Sequence, residues 1–230
     1  MSSNASPSRT PSGISATEMM NRMYRRQRHI YDLTRRYYLL GRDGLIDDLK
    51  PARGDGVLEI GCGTGRNLIR AARQYPDAQF YGIDVSTEML TTAIREIEAA
   101  GLSSRISVAH ADAASLDLSV QFGRRSFERV FFSYTLSMVP PWRFALENAV
   151  TRVAPGGELH IVDFGRMEAL PRIFRAALLR WLAAFDVTPR DGLETHLSAY
   201  ARTINASVTF RHRFRGYAQQ AILRVSQQAR

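Results

Sequence analysis

From residue 57 onward the chain reads as short apolar runs, each closed by a glycine or an acid and followed by a polar stretch of helical period. Val57-Leu58-Glu59-Ile60 is a strand that breaks into Gly61-Cys62-Gly63-Thr64-Gly65, and that turn opens a helix predicted over 66–74. A second strand, 79–84, ends on Asp84, and a third, 106–113, runs through Asp112 and Ala113. Residues 128–134 and 154–164 read as a fourth and a fifth strand. Pro140-Pro141 starts a helix running toward Val153, because proline in a first turn forfeits no hydrogen bond. Alternating strands and helices of this kind predict an α/β fold.

The glycine turn carries the chemistry. Glycine lacks Cβ, so its backbone can take positive φ and bring N–H groups close to a ligand. A dinucleotide-binding turn needs G-x-G-x-x-G, yet the position that would hold its third glycine is Arg66. The frame is instead E-x-G-x-G-x-G, beginning at Glu59. A carboxylate beside the turn suits a cationic ligand and repels pyrophosphate.

This pattern resembles motif I of class I S-adenosylmethionine methyltransferases. Asp84 lies 19 residues beyond Gly65, where a carboxylate meets a ribose diol through charge-assisted hydrogen bonds. Asp112 follows the third strand, placed to accept from the adenine amino group. A lone acid at a strand end is ordinarily a helix cap or a solvated turn residue, but three in this order define a binding site. The resemblance implies S-adenosyl-L-methionine as cofactor and S-adenosyl-L-homocysteine as product. It assigns cofactor contacts to Glu59, Gly61, Cys62, Gly63, Gly65, Asp84, Val85, Met89, Asp112, Ala113 and Ser133.

At 230 residues and 45% hydrophobic, the chain suffices for one domain with a full core. Cys62, the single cysteine, has no disulfide partner, and His29, His110, His160, His196 and His212 show no metal-ligand spacing, so no metal is expected. Residues 1–17, rich in Ser, Pro and Thr, read as a disordered tail preceding a domain over 18–230. No signal peptide is evident, and no apolar run approaches the roughly 20 residues of a membrane span, so a cytoplasmic protein is expected.

The net charge of +9 asks for an anionic partner, nucleic acid or membrane. All basic residues but Lys50 are arginine, clustered at 22–36, 166–180 and 211–215. Over 167–185 a helical wheel gathers Phe174, Leu178, Trp181, Leu182 and Phe185 on one arc, with Arg172, Arg175 and Arg180 on its flanks and back. Such a helix suits a lipid interface, although the same stripe could pack on the domain. Val139-Pro140-Pro141-Trp142 lacks the Asn, Asp or Ser that precedes Pro-Pro-aromatic in base-amine methyltransferases, and no nucleic acid is expected.

Residues 23–43, with Tyr31-Asp32 and Tyr37-Tyr38, and the later Val162-Asp163-Phe164-Gly165, Leu170-Pro171 and Phe185-Asp186-Val187-Thr188-Pro189, are similar to bacterial diacylglyceryl-homoserine N-methyltransferases, which make a trimethylated betaine lipid. That likeness implies a Rossmann-like, seven-stranded, mostly parallel sheet with helices on both faces and an antiparallel hairpin of 208–214 and 217–225. It implies a helical cap over 18–50 and a lid or substrate insertion over 167–203. Tyr31 is its catalytic candidate, Tyr24 and Arg35 further cofactor contacts, and Tyr38, Tyr134 and Trp142 candidates to cage the cationic product through their ring faces. Phe174, Trp181, Arg172 and Arg175 would meet an anionic membrane on the inner face of the cytoplasmic membrane, where the lipid acceptor lies. Phosphatidylethanolamine and quinone-ring methylation are the alternatives, as is a cofactor-binding RNA scaffold without catalysis.

Overall fold

The computed structural model describes residues 39–113 and 118–227; the expected tail, Tyr24, Tyr31, Arg35 and Tyr38 lie outside them. The order is α1 (Arg42–Leu49), β1 (Gly56–Ile60), α2 (Arg66–Gln74), β2 (Gln79–Asp84), α3 (Thr87–Ala99), β3 (Ile106–His110), α4 (Ser119–Phe122), β4 (Phe127–Ser133), α5 (Trp142–Thr151), β5 (Val153–Phe164), α6 (Arg172–Ala183), α7 (Leu193–Thr203), β6 (Ser207–Arg213) and β7 (Ala218–Arg224). The seven strands form one sheet in the order β3-β2-β1-β4-β5-β7-β6. β1 to β5 run parallel, while β7 lies antiparallel between β5 and β6. The chain therefore has the expected mostly parallel sheet with its carboxyl-terminal hairpin.

Strand order follows from burial. Every residue of β1 is buried, as a central parallel strand covered on both faces requires. Successive side chains point to opposite faces, so Val57 and Phe131 join one core and Leu58, Val130 and Phe132 the other. The first core takes α1, α2, α3 and the inner edge of α6 through Leu45, Leu68, Ala93 and Leu182. The second takes α5 and α7 through Leu146, Ala149, Leu193 and Leu197. The stretch 167–203 thus divides: α6 lies on the first face, whereas α7 is a core helix of the second.

Strand and helix bounds sit close to their sequence readings, with instructive exceptions. β3 stops at His110, two residues short of Asp112, because Asp84 pairs with His110 and β2 provides no ladder further on. α6 starts only at Arg172, after Met167 turns back with φ 57 and Pro171 caps the helix. The hairpin turns through Phe214, Arg215 and Gly216, all left-handed, and its strands are one residue shorter at each end of the turn than read.

On the first face, near the amino ends of the parallel strands, Glu158 accepts from Arg224 Nε at 2.7 Å, meets His160 Nε2 at 2.9 Å and lies 3.7 Å from Arg129 Nε. The His160 hydrogen bond, with the two arginines, outweighs burial and holds the Glu158 carboxyl down at about 2. A carboxylate whose folded pKa is depressed stabilises the fold above its ordinary range and loses that contribution as pH falls from there toward about 2. Because the Arg224 side chain is half exposed, the effect is discounted for screening to about 1–2 kcal/mol. Urea unfolding at pH 7 and pH 3 checks this: Glu158→Gln should be less stable than wild type at pH 7, with a clearly smaller deficit at pH 3, and an equal deficit at both would refute the ion pair.

Candidate active site

A cavity of about 880 Å³ opens at the carboxyl ends of β1, β2 and β4, where ligands of open α/β sheets bind. Gly61, Cys62, Gly63 and Thr64 form its floor, with Glu59, Asp84, Val85, Asp112, Ala113, Ser133 and Tyr134 around them. The tips of β1, β2 and β4, the residues after β3 and parts of α1, α2 and α3 provide this wall.

Tight constraints hold the floor. The Gly61 and Cys62 amides both donate to Ile83 O, at 2.8 and 2.9 Å. Gly61 has φ 76, and a Cβ there would stand 2.4 Å from Thr135 Cγ2, so neither its backbone nor its neighbour admits a side chain. Gly63, with φ 53, is different: an added Cβ would meet nothing within 4 Å, so its bare backbone faces the cavity. The Gly63 amide donates to Asp84 Oδ2 at 2.8 Å, and the other Asp84 oxygen accepts from Ser86 N at 2.9 Å. Asp84 thereby fixes the turn from β2 while still lining the cavity.

Glu59 is 1% exposed and accepts from Asn67 Nδ2 at 2.7 Å through Oε1; its Oε2 has no hydrogen-bond partner. Burial pushes its carboxyl up to about 8, against Asn67 and the nearby Arg42 guanidinium, which favour the ion. A buried carboxyl oxygen left unpaired at the cavity wall fits a cationic or hydrogen-bond-donating ligand group. Burial likewise raises the Cys62 thiol well above its usual range, so it is no nucleophile.

Tyr134, at the tip of β4, takes φ 57 and donates its hydroxyl to Leu40 O, while its ring stands edge-on to Phe164 at 4.6 Å. Burial raises the Tyr134 phenol, which therefore stays neutral and contributes a ring face and an anchor for the chain ahead of α1. Met89 lies behind the lining and packs on Met138, which lines the cavity, and on Phe185, just beyond α6. Trp142 does not join the site. It is 7% exposed at the start of α5, in the second core, with its ring edge-on to His196 at 5.4 Å and Arg143 at 4.7 Å from its centroid. The helix that Pro140-Pro141 starts turns this indole away from the strand tips, so it is core in place of cage.

Phe174 and Trp181 are 58% and 37% exposed, and Ile173, which the wheel left outside its arc, is 88% exposed. Arg172 is exposed beside them, whereas Arg175 is half-buried and donates Nε to Arg166 O at 3.0 Å. Sequence reasoning also missed Arg42, Asn67, Thr135 and Met138, all cavity residues. Asn67 was legible in principle, one turn into the helix after the glycines; the others depend on which loops the sheet order brings together. Among the described residues no helix can cross a membrane and no group of three His, Cys, Asp or Glu residues could hold a metal ion.

Residues 57–157 match the model of a methyltransferase domain. An O-methyltransferase of Pyrenophora dematioidea is 27% identical over 143 residues, covering 62% of this chain and 51% of that protein. A ubiquinone/menaquinone biosynthesis C-methyltransferase of Paracoccus denitrificans is 28% identical over 151 residues, 64% of this chain and 56% of its own length. The chain thus spans about half the length of these relatives. Among solved structures, Haemonchus contortus phosphoethanolamine N-methyltransferase 2 superposes with a TM-score of 0.69 in its complex with S-adenosyl-L-methionine, at 16% identity over 95% of this chain and 62% of that one. YcgJ of Bacillus subtilis superposes with a TM-score of 0.61 at 13% identity, over 82% of this chain and 99% of that one. Residues 57–157, which hold the glycine turn, Asp84, Asp112 and most of the cavity wall, are thus similar to a methyltransferase domain, and the chain shares the fold of a methyltransferase solved with S-adenosyl-L-methionine.

Proposed function

We propose that the protein is an S-adenosylmethionine-dependent N-methyltransferase that converts the primary amine of diacylglyceryl-homoserine to a trimethylated betaine head at an anionic membrane surface. The observation that carries this reading is the pairing of a cavity that holds Glu59, Asp84 and Asp112 with α6, whose exposed Ile173, Phe174 and Trp181 stand among arginines and beyond whose far end Phe185 packs on Met89, behind the cavity residue Met138. Apolar side chains in the acyl boundary with arginines on headgroup phosphates are the arrangement of an interfacial helix. Leu178 and Leu182 hold the inner side of α6 on the domain, so the helix can dock without leaving it.

S-adenosylmethionine supplies an electrophilic methyl group on a sulfonium, open to in-line attack by an amine lone pair. The chain's own part is orientation. Asp84 offers its carboxylate to a vicinal diol, Gly63 lets the backbone approach, and Asp112 sits where a base amine would reach it. Glu59 presents an unpaired oxygen toward positive charge. Alignment at near-attack distance contributes several kcal/mol without any acid or base, and the neutral Tyr134 ring is the aromatic face available beside the acceptor. A quinone ring carbon is the second acceptor reading, favoured by the likeness over 64% of the chain to a quinone C-methyltransferase.

Methyl transfer from labelled S-adenosylmethionine into anionic vesicles carrying diacylglyceryl-homoserine should yield the trimethylated lipid by mass spectrometry; label appearing only in a quinone would replace the first reading with the second. Phe174→Ser combined with Trp181→Ser should release the protein from anionic vesicles in a sedimentation assay, and retained binding would make α6 a packing helix alone. Asp84→Ala should weaken S-adenosylhomocysteine binding by about 10–100-fold in calorimetry, the cost of losing a charged hydrogen-bond partner, and unchanged affinity would end its assignment to the cofactor.

Glu59 gives a pH signature. Its folded carboxyl titrates near 8 and the unfolded one in the ordinary carboxylate range, so the ligand-free fold loses stability as pH rises from about 4.5 to about 8. Glu59→Gln should flatten that slope and raise stability at pH 8 by about 1–3 kcal/mol in urea unfolding, while weakening binding of the cationic cofactor; an unaltered slope would show that Glu59 does not titrate there.

A further inference from the structure

The segment between β4 and α5 is irregular, yet it builds the wall of the cavity that faces away from β2. Thr135 seats its first residue, donating Oγ1 to Ile60 O at 3.1 Å under the Gly61 backbone. Leu136–Met138 then makes a single 3-10 turn, whose own hydrogen bonds are too few and too bent to fix it. The rest of its support comes from elsewhere in the chain. Arg190, seven residues beyond α6, donates Nε to Leu136 O at 2.8 Å and Nη2 to Ser137 O at 3.2 Å and Val139 O at 2.9 Å. One guanidinium therefore gathers three carbonyls of the turn.

The guanidinium is itself held. Asp163, fully buried at the end of β5, accepts from Ser137 N at 3.0 Å and from Phe164 N at 2.7 Å, and its charge attracts Arg190. Gln219 on β7 donates Nε2 to Phe164 O at 2.8 Å and to Arg190 O at 3.3 Å. Thr188 N adds a bond to Ser137 O at 3.0 Å. Met138 and Val139, the turn residues that line the cavity, thus take their positions from a chain segment that never reaches the cavity. The fork is specific to arginine, because a lysine ammonium is a point donor without a planar spread of N–H groups.

We infer that Arg190 is a positioning residue for the methyl acceptor: through the carbonyls of Leu136, Ser137 and Val139 it sets the wall formed by Met138 and Val139, and it ties the segment that carries α6 to that wall. This rests on the cavity being a methyl-transfer site, but the wall itself can be tested without any acceptor. Cofactor binding lies on the opposite side, with Asp84 and the glycine turn, and does not pass through Arg190.

Hydrogen–deuterium exchange read by mass spectrometry on full-length Arg190→Met and Arg190→Lys, with calorimetry of S-adenosylhomocysteine, tests this. Exchange over residues 135–139 should rise about tenfold in Arg190→Met, as expected for loss of charged hydrogen bonds, and less in Arg190→Lys. S-adenosylhomocysteine affinity should stay within about twofold, as bonds outside its contacts are lost. With vesicles bearing a primary-amine lipid, the acceptor KM should rise about tenfold while the cofactor KM holds, the mark of lost acceptor positioning and not of fewer folded molecules. Unchanged protection at 135–139 in both variants, exchange rising equally across β1 and β2, or cofactor affinity falling as far as acceptor KM rises would each overturn the proposal. Should Arg190→Met fail to fold, Arg190→Lys alone decides by the same three outcomes. If the wild-type protein transfers no methyl group to the vesicle amine, the lipid reading falls, while exchange and cofactor affinity still judge Arg190.

Discussion

Two adjacent amides, those of Gly61 and Cys62, converge on the single carbonyl of Ile83, and the rest of the site is arranged around that convergence. It joins the end of β1 to the last apolar residue of β2, so the glycine turn can exist only where these two strands are neighbours. Asp84, the next residue, then reaches the Gly63 amide, and Thr135 closes against Gly61 from the tip of β4. Three strand ends meet within a few ångströms, and each contributes either a backbone amide, an acid or a side chain that excludes other conformations.

Charge is distributed unevenly around this ring. Asp84 accepts from the backbone amides of Gly63 and Ser86, whereas Glu59 is enclosed with one amide side chain and one arginine near it. Exclusion of water thereby favours the protonated form of Glu59, at the end of β1, while Asp84, at the end of β2, is engaged by two backbone donors. The protein as a whole is strongly cationic, and its cavity sets Glu59, Asp84 and Asp112 around the glycine turn beside Arg42 on α1 and Arg66 and Arg70 on α2.

The α6 region shows what periodicity can and cannot decide. Its wheel gathers Phe174, Leu178, Trp181, Leu182 and Phe185, a stripe that fits equally a packed helix and a helix on lipid. The structure splits the stripe. Leu178 and Leu182 face the core, Phe185 packs on Met89, and Phe174 turns outward with Ile173, a residue outside the predicted arc. Helix start matters here: with Pro171 as cap and Met167 in a left-handed bend, the packed edge is fixed by how the chain leaves β5.

The sequence by itself determined the glycine turn, the strands and helices beside it, the acid that ends β2 and the nature of the fold, because each of these is a local pattern of apolar spacing, absent Cβ or charge. Only the tertiary structure decided which distant groups share the cavity: that Thr135 sits under Gly61, that Asn67 takes Glu59, that Trp142 belongs to the far core, and that Arg190 grips the turn after β4. One arginine among so many bears no mark along the chain, and an indole after two prolines fits a cage as readily as a core. Their roles depend on sheet order and on the direction in which each helix leaves its strand, and those are set by packing over the whole domain.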